Sequence, residues 1–373
     1  MNAMDDISTL LRDSAVDFLA RRHDLATLKG GIGKPQPVNR VLWREMAELG
    51  WLGLGLPPEL GGDEIGLRES TVLCEQFGRT AFPLPYVDAS VIPATLLAAM
   101  PPNDQCKALA AKLRSGNGLV TLAWQERAAT LDDAMPETHL EDNRVSGKKL
   151  FVAAVAEDTT LLVIVREGAE LAVVAVDASA EGVSWQDRAA GQGTVSTVIF
   201  DNAPIVGDVL LHRERAGQAL QRALDAGRIA LSAQLAGLSG AMLDRTIAFV
   251  NDRVQFERAI GSFQTIRHRC VDLYIATQLA GAAWRHALAQ FESGDADAIA
   301  TAASAAKARC ADTAQRVGRE AIQMHGAMGF TEEANIGLFL REGLRGFAAL
   351  GSPLQQRRRF QALNSAEQIH GSR

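Results

Sequence analysis

Aromatic side chains make up only 5% of this 373-residue chain, while alanine, leucine and glycine are abundant, a balance that favours close helix packing. Cysteine is scarce too. Cys74, Cys106, Cys270 and Cys310 are scattered with no C-x-x-C pair, which points to packed, reduced thiols and away from a metal or disulfide framework. There is no positive excess: the net charge of −6 gives no electrostatic reason to expect nucleic acid or an anionic membrane as partner. The run Arg357–Arg359 reads as a solvated helix face. No stretch reaches the roughly 18 uncharged apolar residues of a membrane span. The N-terminal stretch alternates charge with an amphipathic pattern and offers no apolar core or small-residue cleavage site, so a cytoplasmic location is expected. Internal repeats and low-complexity linkers are missing as well.

Three regions are legible. Residues 1–118 read as helices, with apolar positions recurring at three and four in Leu10, Leu11, Val16 and Leu19 and again in Leu42, Met46 and Leu49. A loop from Gly50 to Gly62 punctuates them, and a helix from Glu69 to Gly78 follows. Across 119–208 the pattern turns short and β-branched: Leu119–Trp124, Arg144–Val155, Thr160–Val165, Leu171–Val176 and Val195–Phe200, several of them parted by glycine. From 209 to 373 the chain is helical again, over Leu220–Phe249, Gln264–Phe291 and Asp297–Met324. The expected class is α+β: helices, a compact β-barrel or sandwich, then helices.

Two stretches carry chemistry. In Arg253-Val-Gln-Phe256-Glu-Arg-Ala-Ile260-Gly-Ser-Phe263-Gln264 a guanidinium stands at a helix end. In Gln323-Met-His325-Gly326-Ala327-Met-Gly329-Phe-Thr331-Glu-Glu glycines close a helix, where bare backbone N–H groups can approach a phosphate. These stretches resemble the acyl-CoA dehydrogenase family patterns R-x-Q-F-G-x-x-I-x-x-F-Q and Q-x-H-G-G-x-G-F-T-x-E, with Glu257 and Ala327 replacing one glycine in each. Leu49–Gly62, Val145–Val152, Phe200–Pro204 and Leu340–Glu342 extend the resemblance over nearly the whole chain. It implies the family fold: an N-terminal helical domain, a middle β-barrel or sandwich domain and a C-terminal four-helix bundle. It also implies FAD, an acyl-CoA substrate desaturated between its α and β carbons, and electron-transfer flavoprotein or a similar acceptor. In the family both motifs reach a neighbouring subunit's FAD, which places Arg253, Phe256, Gln264, Gln323, His325, Gly326, Ala327 and Gly329 at the cofactor. Paired donors and a fixed charge suit Arg253 to the diphosphate.

The resemblance breaks where the family does its own catalysis. A glutamate there removes the α-proton, its basicity raised by desolvation. Of the two positions known to host it, one falls on Leu350 and the other on Gly227, and neither accepts a proton. The T-E-P-x-x-G-S-D segment falls near Trp124-Gln125-Glu126-Arg127 with no G-S-D after it, and the flavin-stacking W-I-T/S triplet reads Phe151-Val152-Ala153. Phe151 can still stack on a flavin, but Ala153 has lost the hydroxyl. The nearest carboxylates to the vacant positions, Glu342 and Asp225, read as helix-surface or capping groups, while the Leu350 N–H can still serve a thioester oxygen. Two functions are therefore expected: an FAD-dependent acyl-CoA dehydrogenase working as homodimer or homotetramer, or a silent subunit that completes the FAD site of a homologous partner in a heterotetramer. A flavin monooxygenase on this fold is a third, needing a way to accept O₂.

Overall fold

A computed structural model describes residues 3–370 apart from 64, 129–130, 132–134 and 332–333. Helices Ala3–Arg22 (α1), Leu25–Lys29 (α2), Arg40–Glu48 (α3), Leu67–Arg79 (α4), Ile92–Ala98 (α5) and Asp104–Ser115 (α6) come first. Strands Leu119–Ala123 (β1), His139–Glu141 (β2), Arg144–Ala153 (β3), Thr159–Glu167 (β4), Glu170–Asp177 (β5), Val183–Ala190 (β6), Gly193–Pro204 (β7) and Leu211–His212 (β8) follow. The chain ends with helix Arg213–Asp252 (α7), short strands Val254–Gln255 (β9) and Arg258–Ala259 (β10), and helices Gln264–Ser293 (α8), Ala296–His325 (α9), Ile336–Ala348 (α10) and Pro353–His370 (α11). This is the α+β order expected from periodicity. Contacts divide the chain into two compact units: Met1–Ile32, Thr71–Phe82 and Arg228–Arg373 form one, and Gly33–Ser70 with Pro83–Gly227 the other.

In the first, helical unit, α9 packs against α8, α10 and α11. Its buried face is built from Ala303, Ala306, Cys310, Ala311, Ala314 and Val317, a helical spacing of small groups that lets neighbours approach closely. Asp295 caps the start of α9 by accepting from the Asp297 and Ala298 N–H groups. The tightest approach joins α4 to α7. A Cβ on Gly237 would lie 2.0 Å from the Glu75 carbonyl oxygen, and one on Gly78 would lie 1.9 Å from that of Gln234. Any side chain at either position would force the two backbones apart.

In the second unit the strands form one sheet in the order β6-β7-β3-β2-β4-β5-β8, with β1 paired to β4. Leu161–Val165 of β4 and Ala172–Val176 of β5 are buried at every residue, which explains their unbroken apolar sequences. Leu161, Val163, Val165, Ala172, Val174 and Val176 join Val145, Val152, Val198 and Phe200 in the core. Sequence periodicity passes over β2, β6 and β8. Of these, β6 is an edge strand whose residues are all at least partly exposed, so it has no buried face to write an alternating pattern.

Candidate functional site

The carboxyl end of α7 runs into a hairpin. In it β9 and β10 pair Gln255 with Arg258 and Val254 with Ala259, leaving Phe256 and Glu257 as a two-residue turn. Both have positive φ, 53° and 63°, as the turn matching the right-handed strand twist requires. Glycine or asparagine is usual there, so Glu257 carries backbone strain of about 1 kcal/mol. Glu257→Gly is therefore expected to stabilise the protein by about 1 kcal/mol, read as a raised urea midpoint at unchanged slope. A lowered midpoint would show that the glutamate side chain itself supports the turn. The hairpin closes on its own groups. The Ile260 N–H donates to the Arg253 carbonyl at 2.8 Å, and Arg258 lies over the Phe263 ring with Cζ 4.0 Å from its centre. Phe256 remains 86% exposed. The Arg253 side chain, also exposed, forms no hydrogen bond or ion pair among the described residues.

The carboxyl end of α9 lies beside that of α7. His325 is buried, its Nδ1 2.7 Å from the Ala321 carbonyl oxygen, and its ring stacks on Phe249 with centres 4.2 Å apart. Phe249 sits one turn before Arg253, whose N–H it accepts at 2.9 Å. The stack therefore fixes the Arg253 end of α7 next to Gly326. Gly326 adopts φ 61°, ψ −138°, open to glycine alone, and a Cβ there would meet nothing within 4 Å. Gly329 has the opposite constraint: its Cβ would strike the Ile322 carbonyl oxygen at 2.7 Å. Gln264, Gln323 and Ala327 are exposed, and Phe330 is 84% exposed. Glu332 and Glu333 lie outside the described residues. One end of the unit thus presents a free guanidinium, an open glycine backbone and two bare aromatic rings. This set fits the diphosphate and adenine half of a dinucleotide, with His325 as the buried anchor beneath it.

In the sheet unit, Phe151 stands in a β-bulge: β3 uses one residue more than β7 between the pairs Lys149–Val198 and Val152–Ser196. Its φ is 57° and it is 51% exposed, so the bulge turns its ring out of the ladder. Ala153 is buried and offers no donor side chain. The 124–127 segment runs alongside, the Leu150 N–H donating to the Gln125 carbonyl at 2.7 Å. Glu126 accepts from Lys149 Nζ at 2.7 Å and from the Glu137 and Thr138 N–H groups at 2.6 and 2.9 Å. Burial pushes the Glu126 carboxyl up, but the Lys149 and Thr138 hydrogen bonds outweigh it and hold the pKa at about 2. Glu126 is thus a fixed anion that pins this segment, and a carboxyl held at about 2 is too weak a base to take an α-proton. Trp124, Gln125 and Glu126 border a cavity of about 250 Å³ closed by Ile164, Gly217 and Leu220. A flavin would find an aromatic plane in this unit and would miss a hydroxyl.

The position where the resemblance expects a base is firmly built. Leu350 has φ 53° and is buried, and its carbonyl accepts from Gln356 Nε2 at 2.6 Å. Lys307, wholly buried, donates to the Gly351 and Phe347 carbonyls at 3.0 and 3.4 Å. Glu342 is engaged by Arg345 Nε at 2.6 Å, and Asp225 is buried. Sequence reasoning passed over Lys307, although a lysine between Ala303, Ala306, Cys310 and Ala311 on one helix face is a readable signal of a buried charge.

Comparison with known proteins identifies the family and the fold. Residues 6–117 match the acyl-CoA dehydrogenase N-terminal domain and residues 217–351 its C-terminal domain. The acyl-CoA dehydrogenase FadE28 of Mycobacterium tuberculosis is 30% identical over 64% of this chain and 68% of its own length. IpdE2, an acyl-CoA dehydrogenase of the same organism, is 26% identical over 95% and 96%. A solved variant of the Tcur3481-Tcur3483 steroid ACAD superposes with a TM-score of 0.88 at 25% identity, covering 98% of this chain and 99% of that one. The chain belongs to the acyl-CoA dehydrogenase family, a family of acyl-CoA oxidoreductases that depend on FAD. Among its described residues no helix is long and apolar enough to cross a membrane.

Proposed function

We propose that this chain is the non-catalytic subunit of a heteromeric acyl-CoA dehydrogenase, lending its Arg253 and 323–329 face to FAD held by a homologous subunit that carries the base. The carrying observation is Leu350: an aliphatic side chain, set by Lys307 and Gln356, where the family resemblance expects glutamate. Loss of a general base costs typically 10²–10⁴ in rate. Gly227 at the alternative position cannot replace it. When bound, FAD would take up the hydride leaving the β-carbon of an acyl-CoA, with electron-transfer flavoprotein or a similar acceptor next in line. Arg253 would neutralise the diphosphate, the Gly326 backbone would lie against it, and Phe256 and Phe330 would shield it from water. A two-component assembly is supported by the Tcur3481-Tcur3483 steroid ACAD, whose name joins two chains.

Phe151 favours a second reading, a homomeric FAD-dependent dehydrogenase, because its bulge exposes an aromatic plane of the kind that stacks on flavin. That reading still needs a base, and the Glu342–Arg345 pair does not offer one. Purification alone and with a co-expressed homologous subunit separates the two. Alone, the chain is expected to be colourless and inert towards acyl-CoA with an artificial electron acceptor; with its partner it is expected to be yellow and active. A yellow homo-oligomer that turns over acyl-CoA by itself would overturn the subunit assignment.

A further inference from the structure

A cavity of about 640 Å³ opens in the helical unit, within the size range of small-molecule pockets. None of the residues assigned above lines it. Val16, Leu19 and Ala20 of α1 and Leu25 of α2 give it an apolar wall. Most of its polar groups are already spoken for. His23 sets Nε2 2.9 Å from the Thr80 carbonyl oxygen, and burial lowers its pKa, so at neutral pH it contributes a neutral ring. Asp24 accepts the Ala26 N–H as the cap of α2. Arg79 donates to Asp244 at 2.8 Å.

The Arg245 guanidinium and the Gln76 and Asn335 amides remain. The Arg245 side chain is exposed, but its guanidinium lies over the Phe339 ring, Cζ 4.8 Å from its centre, where desolvation lowers its pKa, and it has no carboxylate partner among the described residues. Desolvating a cation is costly unless an anion faces it. Asn335 holds φ 53°, makes no capping bond to α10, and keeps Oδ1 buried with no hydrogen-bond partner. Since its amide oxygen and nitrogen are interchangeable by rotation, the same group can turn N–H donors to a ligand. A guanidinium with no carboxylate partner among the described residues and an idle amide beside an apolar wall form the recognition pattern for an anion with an apolar body. A single guanidinium outside any ion pair, with Asp24 also on the lining, suits a monoanion better than a phosphate dianion.

We propose that this cavity binds a free organic carboxylate with a short aliphatic body, its carboxylate held by Arg245 and Asn335 and its carbons laid along Val16, Leu19 and Leu25. Calorimetric titration of the full-length chain, in its co-purified assembly where one forms, tests this with hexanoate, hexanol and inorganic phosphate. Hexanoate is expected to bind in about the millimolar range, and the other two at least about tenfold more weakly. Arg245→Gln should weaken hexanoate about tenfold. Asn335→Asp keeps the backbone conformation and sets a like charge against the ligand, so it should do the same with thermal melting unchanged. Absence of hexanoate binding, preference for hexanol or phosphate, or equal hexanoate affinity in wild type and both variants overturns the assignment.

Discussion

Arg253→Gln is expected to strip flavin from the co-purified assembly while leaving both subunits folded. The side chain sits at a helix end already fixed by the Phe249–His325 stack and by the hairpin that closes on the Arg253 carbonyl. Glutamine removes a charge without removing any packing that the fold uses. Hydrogen bonds to a charged group are worth about 1.5–3 kcal/mol, and removing one partner of a desolvated pair costs about 2–5 kcal/mol. A loss of about 2–4 kcal/mol corresponds to flavin bound roughly 30- to 1,000-fold more weakly. Gel filtration followed by the ratio of visible to ultraviolet absorbance reads this directly, and added FAD should restore turnover. Arg253→Lys should fall between, since an ammonium keeps the charge and loses the two-pronged geometry. Flavin retained at wild-type occupancy in the glutamine variant would remove Arg253 from the cofactor, and the proposed division of labour with it.

The helices–sheet–helices order is readable because burial wrote itself into composition: β4 and β5 are covered on both faces and so are uniformly apolar, while α9 writes a face of small residues at helical spacing. The hairpin at 254–259 left no such trace. Its turn uses Phe256-Glu257 where Asn-Gly would have announced it, and its strands are too short to alternate. The family resemblance singled out Arg253 and the Gln323–Gly329 segment; without it they read as a surface arginine at a helix end and a glycine helix cap. It did not show what places them side by side, because the Phe249–His325 stack joins residues far apart in the chain, and each looks like ordinary core. Likewise the emptiness of the base position is a single-letter observation at Leu350, whereas its rigidity depends on Lys307 and Gln356, reaching in from two other helices.

The buried amine of Lys307 makes stability depend on pH in a direction opposite to ordinary alkaline loss. Burial drives its pKa from 10.5 down to about 7; Arg228 and Arg345 add to the drop, and Cys310 and Asp312 raise it too little to offset desolvation. Below pH 7 the amine is protonated in both states, and the folded chain bears the full cost of a buried charge. Between about 7 and 10.5 the unfolded chain holds more protons than the folded one, so stability rises with pH. Cys310 opposes this higher up: burial raises its thiol from 9.0 to about 12, so above pH 9 only the unfolded chain ionises and stability falls. The helical unit should therefore gain stability from pH 7 to 9 and then level off. The gain is about 1–2 kcal/mol, under the roughly 2.7 kcal/mol that one full proton yields over two pH units. Lys307→Met removes the titration and also the donors to Gly351 and Phe347. Two lost hydrogen bonds at about 1 kcal/mol each roughly balance the relieved desolvation at pH 7, so the variant should match wild type there and fall behind it by pH 9. Urea midpoints across this range decide the matter. A variant that keeps the wild-type slope would show that the titrating group lies elsewhere, and that the turn carrying Leu350 is not held by a charge-sensitive clamp.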